Sequence, residues 1–424
     1  MKIILKLFLS FFLAAIIGGC GRRTESNITT IRWCADPNPI RKEQIAVFER
    51  ENPDIKVNLD WATAGSEKVL VQIAGGNPPD IFMVYSLANF VSLIEKGALE
   101  DLTPHCEKHD MDIDDFWPQV KPFIFYEDNV YGFPETLTPV VLFYNKRLFE
   151  EANVSYPTEE WNWDDLLDAA QKLTKEDQVS GRYAQFGLLP GDLVAMIWQN
   201  GGDMFTPDGK RCIIDSPEAL EAARFYYDLR YKHHVSPTPS EMESLHSQWG
   251  GFSIFATGRV AMMMTGRVAT IEFRKYKDLD WDIAHVPRGR RKLTTFGVHT
   301  NVIPKDAKHK EAAFKFLKSL VSKEGELLVA NYGEGIPSRR SIASSQEFLF
   351  NPEYPKEIHN QIYLDEMQNA RLWSLFAFSP YVSPIETLKI WEQGMGKMRM
   401  RSQNPEEILH NIAKRLNQLL TEEK

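Results

Sequence analysis

The segment from residue 40 to residue 85 constrains the fold more than any other part of the sequence. The stretch IKVNLDW at 55–61 alternates apolar and polar residues, which is the periodicity of a strand. A helix is predicted before it at 40–50 and another after it at 66–74, and the continuous apolar run Ile81–Tyr85 follows. Such a run is typical of a strand covered on both faces. The segment therefore predicts a β-α-β unit within a parallel sheet.

The alternation of strands and helices continues along most of the chain. WNWDDLLDAAQKLT at 161–174 places its apolar residues on one helical face, and residues 312–320 do the same. Ser216-Pro217-Glu218 is typical of a helix start, with a capping hydroxyl, a proline at the first helical position and an early acid. The predicted fold class is therefore α/β.

The length of the chain fits two lobes better than one core. Its 424 residues are 43% hydrophobic and 25% charged, as in water-soluble globular proteins. The net charge of -9, with no basic stripe to offset it, argues against a nucleic-acid partner. Beyond residue 20 only Cys34, Cys106 and Cys212 remain, which is no disulfide framework. No later apolar run approaches the length of about 18 residues that indicates a membrane span.

The first 27 residues have the pattern of a secretory signal. Lysines precede an apolar run that is too short to span a bilayer stably, and two glycines lead to Cys20. The stretch IGGC resembles the bacterial lipobox, which implies cleavage before Cys20 and lipid attachment to its sulfur. The alternative is an ordinary signal peptide with a chance cysteine. We expect a signal peptide at 1–19 and a lipidated Cys20 with a polar tether at 20–27, which would anchor the mature chain on the outer side of a cell-envelope membrane.

No motif indicates an enzyme, because phosphate-loop, dinucleotide, nucleophile-elbow and zinc-protease patterns are missing from the sequence. HCEKH at 105–109 sets two histidines four residues apart without an evident fourth ligand, so a solvated helix face is the preferred interpretation. DMDIDD at 110–115 lacks the glycine and the terminal acid of a calcium loop, so helix capping by Asp114 or Asp115 is preferred. The prediction is that there is no catalytic residue, no metal and no cofactor.

Several stretches occur in a specific order over about residues 30–340. They include FERENPDIKVNLDW at 48–61, YGFPETLTPVVLFYNKRLFEEANV at 131–154 and FATGRVAMMMTG at 255–266. Together they resemble the extracellular solute-binding proteins of ABC importers, in the family of the maltose-binding proteins. The resemblance implies an α/β, two-lobe periplasmic-binding-protein-like fold of type II, with three hinge crossings and a ligand cleft between the lobes.

The lobe boundaries follow from the same resemblance. It implies that lobe I comprises 28–134 plus about 299–345, and that lobe II comprises 136–298 plus about 346–424. One hinge is predicted at Phe133-Pro134-Glu135, where the proline would fix a turn between two sheets. Such a hinge would let the lobes close on a solute.

Candidate ligand contacts are chosen at the carboxyl ends of predicted strands, in the loops that face the cleft and at the hinges. A sugar needs aromatic platforms for its ring faces and polar side chains for its hydroxyls. The candidates are Asp36, Trp61, Ser66, Tyr85, Ser86, Glu135, Asp192, Trp249, Arg267 and His299. Structural roles compete with some of these: Trp61 as a core residue, Ser66 as a helix cap, Glu135 as an ion-pair partner and His299 as packing.

One position departs from the family pattern. Many members carry a tryptophan after the TG pair of this segment, whereas Arg267 and Val268 stand here. The change removes a platform and adds a cationic donor, which favours an acidic or phosphorylated solute, or a small sugar, over a long neutral maltodextrin. Trp249 could compensate, and Trp198 is expected to pack in the core.

The resemblance implies a lipid-anchored, extracytoplasmic subunit of an ABC importer that binds a mono- or oligosaccharide by lobe closure. It would be a monomer that delivers its solute to membrane permease subunits. Two alternatives stay open, namely a sensor lipoprotein for a receptor kinase and a hydrolase of envelope glycans. Permease genes next to the gene for this protein would favour transport, and a sensor-kinase gene there would favour the sensor. Turnover of a glycan would indicate the hydrolase.

Overall fold

The computed structural model describes residues 28–61, 67–177, 179, 182–249, 251–373, 376, 378–401 and 403–422. The predicted signal peptide, Cys20, the tether and Ser66 lie outside these residues. Within the described ranges, no helix is both long enough and apolar enough to cross a membrane.

The strands are β1 (Thr29–Cys34), β2 (Ile55–Asp60), β3 (Ile81–Val84), β4 (Phe125–Tyr126), β5 (Asn129–Val130), β6 (Phe133–Asn145), β7 (Lys175–Asp177), β8 (Arg182–Leu189), β9 (Val260–Gly266), β10 (Trp281–Ala284), β11 (Thr294–Val302), β12 (Ile336–Pro337) and β13 (Ala370–Leu372).

The helices are α1 (Ile40–Glu51), α2 (Glu67–Ala74), α3 (Leu87–Glu95), α4 (Thr103–Lys108), α5 (Lys146–Glu151), α6 (Trp163–Leu173), α7 (Leu193–Asn200), α8 (Pro217–Tyr231), α9 (Pro239–Trp249), α10 (Ser253–Ala256), α11 (Ala269–Phe273), α12 (Lys310–Leu320), α13 (Lys323–Tyr332), α14 (Arg340–Ala343), α15 (Gln346–Leu349), α16 (Gln361–Gln368), α17 (Pro384–Arg399) and α18 (Pro405–Glu422). A 3-10 helix spans Pro118–Phe123.

The β-α-β unit predicted from the sequence is confirmed. β1 pairs in parallel with β2 on one side and with β3 on the other, so that Trp33 lies opposite both Leu59 and Ile81. All four residues of β3 are buried, as expected for a strand covered on both faces.

Sequence patterns also locate several helix starts. Asn162 and Asp165 form a capping box at the start of α6. The hydroxyl of Ser216 accepts a 3.4 Å hydrogen bond from the backbone N–H of Ala219 and caps α8. The apolar face predicted for residues 312–320 is buried in α12. The predicted start of α8 and the predicted apolar face of α12 are therefore confirmed, and the capping box of α6 is an additional local feature.

The main sheet runs in the order β2-β1-β3-β11-β6-β9-β8-β7. We call β2, β1 and β3 the first half-sheet, and β9, β8 and β7 the second half-sheet. Strands β6 and β11 join them: the first part of β6 pairs with β11 and β12, and residues 140–144 pair with β9. The long strand β6 therefore belongs to both half-sheets.

The turn predicted at Pro134 is wrong, because β6 continues through this residue without a break. The irregularity is in the pairing with β11: Thr136 lies opposite His299 and Pro134 opposite Thr300. Glu135 is thus the extra residue of a β-bulge. A bulge tolerates proline because the hydrogen-bond ladder is already interrupted there.

The hydrophobic core has two parts on opposite faces of β6. Val141 and Phe143 belong to one cluster, which extends through the first half-sheet to α12. Leu142 and Tyr144 belong to the other cluster, which also contains residues of α6, α7, α8, α17 and α18. Alternate strand residues face opposite sides, so β6 contributes to both clusters. The predicted lobe boundaries do not follow this division, and they stay a prediction.

Candidate functional site

A cavity of about 350 Å³ lies where β6 and β11 cross between the half-sheets. We call it the central cavity. Its lining residues are Asp36, Tyr85, Phe123, Thr136, Thr138, Val268, Phe296, Gly297, Val298, His299, Glu334, Leu372 and Trp373. Asp36 follows β1, Tyr85 follows β3 and His299 lies in β11, so three candidates from distant segments meet here.

A buried arginine organises the acidic residues beside this cavity. Arg41, in the first turn of α1, has no exposed surface. Its guanidinium donates two 3.0 Å hydrogen bonds to Asp36, one of 2.9 Å to Glu135 and one of 2.6 Å to Glu334. Buried charges are costly unless they are paired, so one cation shared by three carboxylates keeps this wall of the cavity ionic.

Glu135 lies behind the central cavity and not in its lining. Its Oε2 accepts a 3.0 Å hydrogen bond from Asn301 and lies 3.5 Å from Nε2 of His299, while Oε1 accepts from Gln44. Burial works to raise its pKa, but Arg41 and these donors outweigh that effect and lower the pKa to about 2. The sequence left two roles open for Glu135, namely ligand contact and ion pairing. Its partners in the structure are those of an ion-paired residue.

Asp36 and Glu334 present their carboxylates at the cavity wall with different proton affinities. Burial works to raise the pKa of Asp36, but Arg41 outweighs it and the pKa lies below its ordinary value. For Glu334 burial prevails, and its pKa is raised despite the same cation. The Tyr85 hydroxyl donates a 3.1 Å hydrogen bond to Asp36, and the ring centroid of Tyr85 lies 5.5 Å from that of His299. The exposed ring of Tyr85 thus lies in the same cavity wall as the carboxylates of Asp36 and Glu334, which can accept hydrogen bonds.

Trp373 separates the central cavity from a second, larger one. Its indole N–H donates a 2.9 Å hydrogen bond to Oδ2 of Asp192, and Oδ1 of Asp192 caps α7 through the backbone N–H of Val194. Asp192 faces a cavity of about 760 Å³ between α8, α9 and α17, which we call the helix cavity. Its lining residues are Pro190, Gly191, Asp192, Leu193, Tyr226, Tyr227, Arg230, Tyr231, Pro237, Pro239, Met242, Glu243, His246, Met264, Trp391, Glu392, Met395, Met398 and Arg399.

Of the candidates that the structure describes, Trp61 and Ser86 line neither cavity. Trp61 is 38% exposed, and the Lys42 ammonium lies 5.1 Å from its ring centroid. Ser86 caps α3 by accepting a 3.4 Å hydrogen bond from the backbone N–H of Asn89. Ser66 and the side chain of Trp249 lie outside the described part of the structure. For Ser86 the structure therefore shows a capping role, and its contact with a ligand stays a prediction.

Arg267 corrects a prediction, because it does not face the cleft as expected. It is 1% exposed, and its guanidinium donates to the carbonyl oxygens of Ala330 and Gly335 and lies 3.4 Å from Glu357. Val268, the next residue, lines the central cavity instead. Because the charge of Arg267 is already matched inside the protein, the sequence argument for an acidic solute loses its basis.

Sequence reasoning missed Arg41, Glu334 and Trp373. Arg41 stands in the stretch PNPIRKEQ, where it has the pattern of an exposed helical charge. Glu334 and Trp373 follow α13 and β13, and no local periodicity singles them out. Trp198, which was expected to pack, is indeed 1% exposed.

The two acidic and histidine-rich motifs have structural roles. Among the described residues, no group of three or more His, Cys, Asp or Glu side chains could hold a metal ion. His109 lies 2.9 Å and Lys108 2.8 Å from Glu311, so the motif at 105–109 joins α4 to α12. Asp115 accepts a 3.0 Å hydrogen bond from the backbone N–H of Ser341 in the first turn of α14. It therefore contacts the start of a helix that is distant in sequence, whereas the following 3-10 helix begins after Trp117 without a side-chain cap.

Known proteins share this architecture. A solved ABC substrate-binding protein of Listeria monocytogenes, in complex with cycloalternan, is 28% identical; the match covers 93% of this chain and 99% of that one, with a TM-score of 0.79. A maltooligosaccharide ABC transporter solute-binding lipoprotein of Streptococcus pneumoniae is 24% identical over 72% of this chain and 71% of its own. An arabinooligosaccharide-binding protein of Halalkalibacterium halodurans is 24% identical, over 46% of this chain and 44% of its own.

A protein family also matches most of the chain. Residues 35–327 match the family described as bacterial extracellular solute-binding proteins. The solved structures of similar proteins have the two-lobe fold of periplasmic binding proteins, which the crossing strands β6 and β11 reproduce here. Since the matched residues make up more than half of the chain, this protein belongs to the bacterial extracellular solute-binding protein family.

Proposed function

We propose that this protein is the carbohydrate-binding subunit of an ABC importer. The observation that carries the proposal is the composition of the central cavity. The rings of Tyr85 and Trp373 lie beside the polar groups of Asp36, Glu334 and His299. Sugars combine apolar ring faces with a belt of hydroxyls, and this mixture of platforms and acceptors matches both.

The relatives support a sugar over other solutes. The names of two relatives specify maltooligosaccharides and arabinooligosaccharides, and the Listeria structure holds cycloalternan. Each of these compounds is a neutral oligosaccharide. The ionic network of Arg41 is consistent with such a ligand, because three carboxylates share one guanidinium and the described residues that line the central cavity include no lysine or arginine for an acidic group.

Transport would use the continuity of β6 and β11 between the half-sheets. We propose that lobes with the boundaries given above close on the sugar by rotation at the crossing strands, near the bulge at Glu135. The closed form would be the one that the permease subunits recognise. The protein would act as a monomer and return its ligand chemically unchanged.

The anchor is a separate part of the proposal. Lipid attachment to Cys20 would hold the chain on the outer side of the cell membrane or at the periplasmic face of the envelope. Replacing Cys20 by alanine should move the protein from the membrane fraction to the soluble fraction, and mass spectrometry of the native protein should find acyl chains on residue 20. A native protein without acyl chains would refute the anchor and leave the binding function intact.

Sugar binding is tested by calorimetric titration of the full protein with mono- and oligosaccharides, uronic acids and sugar phosphates. We expect a neutral sugar to bind and to be recovered intact. The variant Asp36→Asn should weaken that binding, whereas Asp54→Asn, at an exposed carboxylate in the loop before β2, should not. Binding of none of the neutral sugars would refute the proposal.

A further inference from the structure

We infer that the central cavity prefers a sugar that carries a protonated amine to the same sugar with a hydroxyl in that place, and that the ammonium group binds to Glu334 beside Asp36. This inference rests on the proposed sugar-binding function and names amino sugars as its favoured substrates. A neutral parent sugar binds as well, with lower affinity. Three observations carry the inference: the charge of the cavity wall, the unused acceptor positions of Glu334 and the aromatic rings of the same cavity.

The first observation is the charge of the wall. The carboxylates of Asp36, Glu135 and Glu334 lie at 2.6–3.0 Å from one guanidinium, that of Arg41. With all three carboxylates ionised, three negative charges face one positive charge, and a charged His299 would still leave an excess of one. Uncompensated charge at a buried site is costly, so a cation on the ligand is stabilised at this wall.

The described residues supply no further cation to the lining of the central cavity, which contains neither lysine nor arginine. Arg267 and Arg371 are close in sequence to lining residues, but their charged groups bind elsewhere. The guanidinium of Arg267 donates to backbone carbonyls in the interior, and that of Arg371 lies 2.8 Å from Asp203. A ligand can therefore bring the positive charge that this wall lacks.

The second observation is that Glu334 has unused acceptor positions. Its Oε1 accepts a 2.6 Å hydrogen bond from Arg41, and its Oε2 accepts one of 3.1 Å from the side-chain amide of Asn38. An ionised carboxylate can accept about four hydrogen bonds, so these donors leave about two positions. Asp36, in contrast, already accepts four, from Arg41, Tyr85 and the backbone N–H of Asn38. Glu334 is therefore the acceptor for the ammonium, and Asp36 adds its charge.

The proton affinity of Glu334 agrees with this assignment. Burial raises its pKa, the carboxylates of Glu135 and Asp36 raise it further, and the attraction of Arg41 and His299 only partly offsets these effects. A carboxyl group that holds its proton in this way is short of positive charge. An ammonium group has a charge and three donors, so it can take the place of that proton.

The third observation is the aromatic surface of the cavity. The rings of Tyr85 and Trp373 line the same space, and each is partly exposed. The negative face of an aromatic ring attracts an ammonium group within about 6 Å of the ring centroid. A neutral hydroxyl gains no such attraction. The rings therefore stack on a sugar of either kind and add to the preference for the amine.

The test is titration calorimetry of the full protein with matched sets of sugars. The sets are glucose, galactose and mannose, their 2-amino and 6-amino forms, and the N-acetylated form of each amino sugar; β-1,4-linked oligomers of glucose, glucosamine and N-acetylglucosamine complete the panel. At least one amino sugar should bind about tenfold or more tightly than its neutral parent, because charge-assisted hydrogen bonds are roughly twice as strong as neutral ones. N-acetylation removes the charge and should abolish the gain.

The variant Glu334→Gln tests where the ammonium binds. It keeps the size of the side chain and removes its charge, so the affinities for the amino sugar and its parent should become equal to within about twofold to threefold. Glu51→Gln, at an exposed carboxylate at the end of α1, is the matched control and should keep the native ratio. Thermal unfolding shows whether each variant folds. If Glu334→Gln does not fold, sodium chloride replaces it as the test: added salt should weaken binding of the amino sugar more than that of its parent.

The outcomes separate the two proposals. Amino sugars that bind no more tightly than their parents would overturn the inference and leave sugar binding standing. A preference that survives in Glu334→Gln, or one that salt does not reduce, would overturn the assignment of the ammonium to this wall. Binding of no sugar, neutral or cationic, would overturn the proposed function and this inference with it.

Discussion

Oε1 of Glu135 lies 2.9 Å from Nη1 of Arg41, and neither side chain has any surface exposed to solvent. The contact joins the first turn of α1 to the bulge in β6, behind the wall of the central cavity. The same guanidinium holds Asp36 and Glu334, so the positions of the two carboxylates at the wall depend on a residue that no ligand touches.

Arg41→Met should strongly destabilise the protein. The change leaves three carboxylates without their cation, and breaking a buried ion pair from one side costs roughly 3–5 kcal/mol. Urea unfolding measures the loss. Arg50→Met is the control, because its pair with Glu324 is exposed and such pairs contribute about 1 kcal/mol or less. Similar small losses in both variants would contradict the buried network.

Acid should weaken the fold through Glu135. Its pKa of about 2 lies below the ordinary value of 4.5, so its contribution is complete above pH 4.5 and is lost as the pH falls towards 2. This difference corresponds to about 3 kcal/mol. Urea unfolding between pH 6 and pH 3 should show a steeper loss in the native protein than in Glu135→Gln. The raised pKa of Glu334 acts in the opposite direction, and removing the charge of Glu135 lowers that pKa, so the difference between the two profiles reports the loss of Glu135 together with this change at Glu334. Parallel pH profiles would refute this assignment.

Tyr85→Ala should weaken sugar binding by more than about tenfold, because an aromatic side chain that a ligand covers on binding is often worth about 2 kcal/mol or more. Tyr85→Phe keeps the ring, loses the hydrogen bond to Asp36 and should have a smaller effect. Tyr381 is similarly exposed, at 43% against 45% for Tyr85, and lies outside both cavities. Tyr381→Ala should therefore bind sugar normally. Titration calorimetry measures all three, and a normal affinity in Tyr85→Ala would exclude the ring from the site.

Arg267→Met should reduce stability and leave sugar affinity unchanged. The substitution removes a buried charged donor from the carbonyls of Ala330 and Gly335, and a hydrogen bond to a charged group contributes about 1.5–3 kcal/mol. The Ala330 carbonyl keeps a 3.0 Å hydrogen bond from the backbone N–H of Gly333. The folded fraction should bind as the native protein does, because Arg267 lines neither cavity. A large loss of affinity at full folding would return Arg267 to the binding site.

The parts of the structure that sequence predicts well are those encoded locally. The alternation in β2, the apolar run of β3 and the cap of α8 each depend on a few neighbouring residues. The strand-end rule places Asp36 and Tyr85 at the central cavity for the same reason, since each follows a recognisable strand.

The errors concern contacts between distant segments. Arg41 meets Glu135 and Glu334 across 94 and 293 positions, and nothing in its own helix indicates burial. Arg267 was assigned to the cleft from a neighbouring motif, but its partners come from residues 330–357. At Pro134, the preference of proline for turns was overridden by the pairing of β6 with β11. Contacts between distant segments determine the environment of these residues, and a short stretch of sequence does not contain the information about such contacts.

The distances along the chain that the Arg41 network spans have a consequence for how this protein folds. Its carboxylates come from residues 36, 135 and 334, so the last partner joins only after a loop of almost 300 residues has closed. Contacts of this separation form late, because the entropy of loop closure is spent before they contribute. A chain that ends before residue 334 lacks one of the three partners of a buried cation. N-terminal fragments that end before residue 334 should therefore be more sensitive to proteases than the full chain, because their Arg41 network is incomplete.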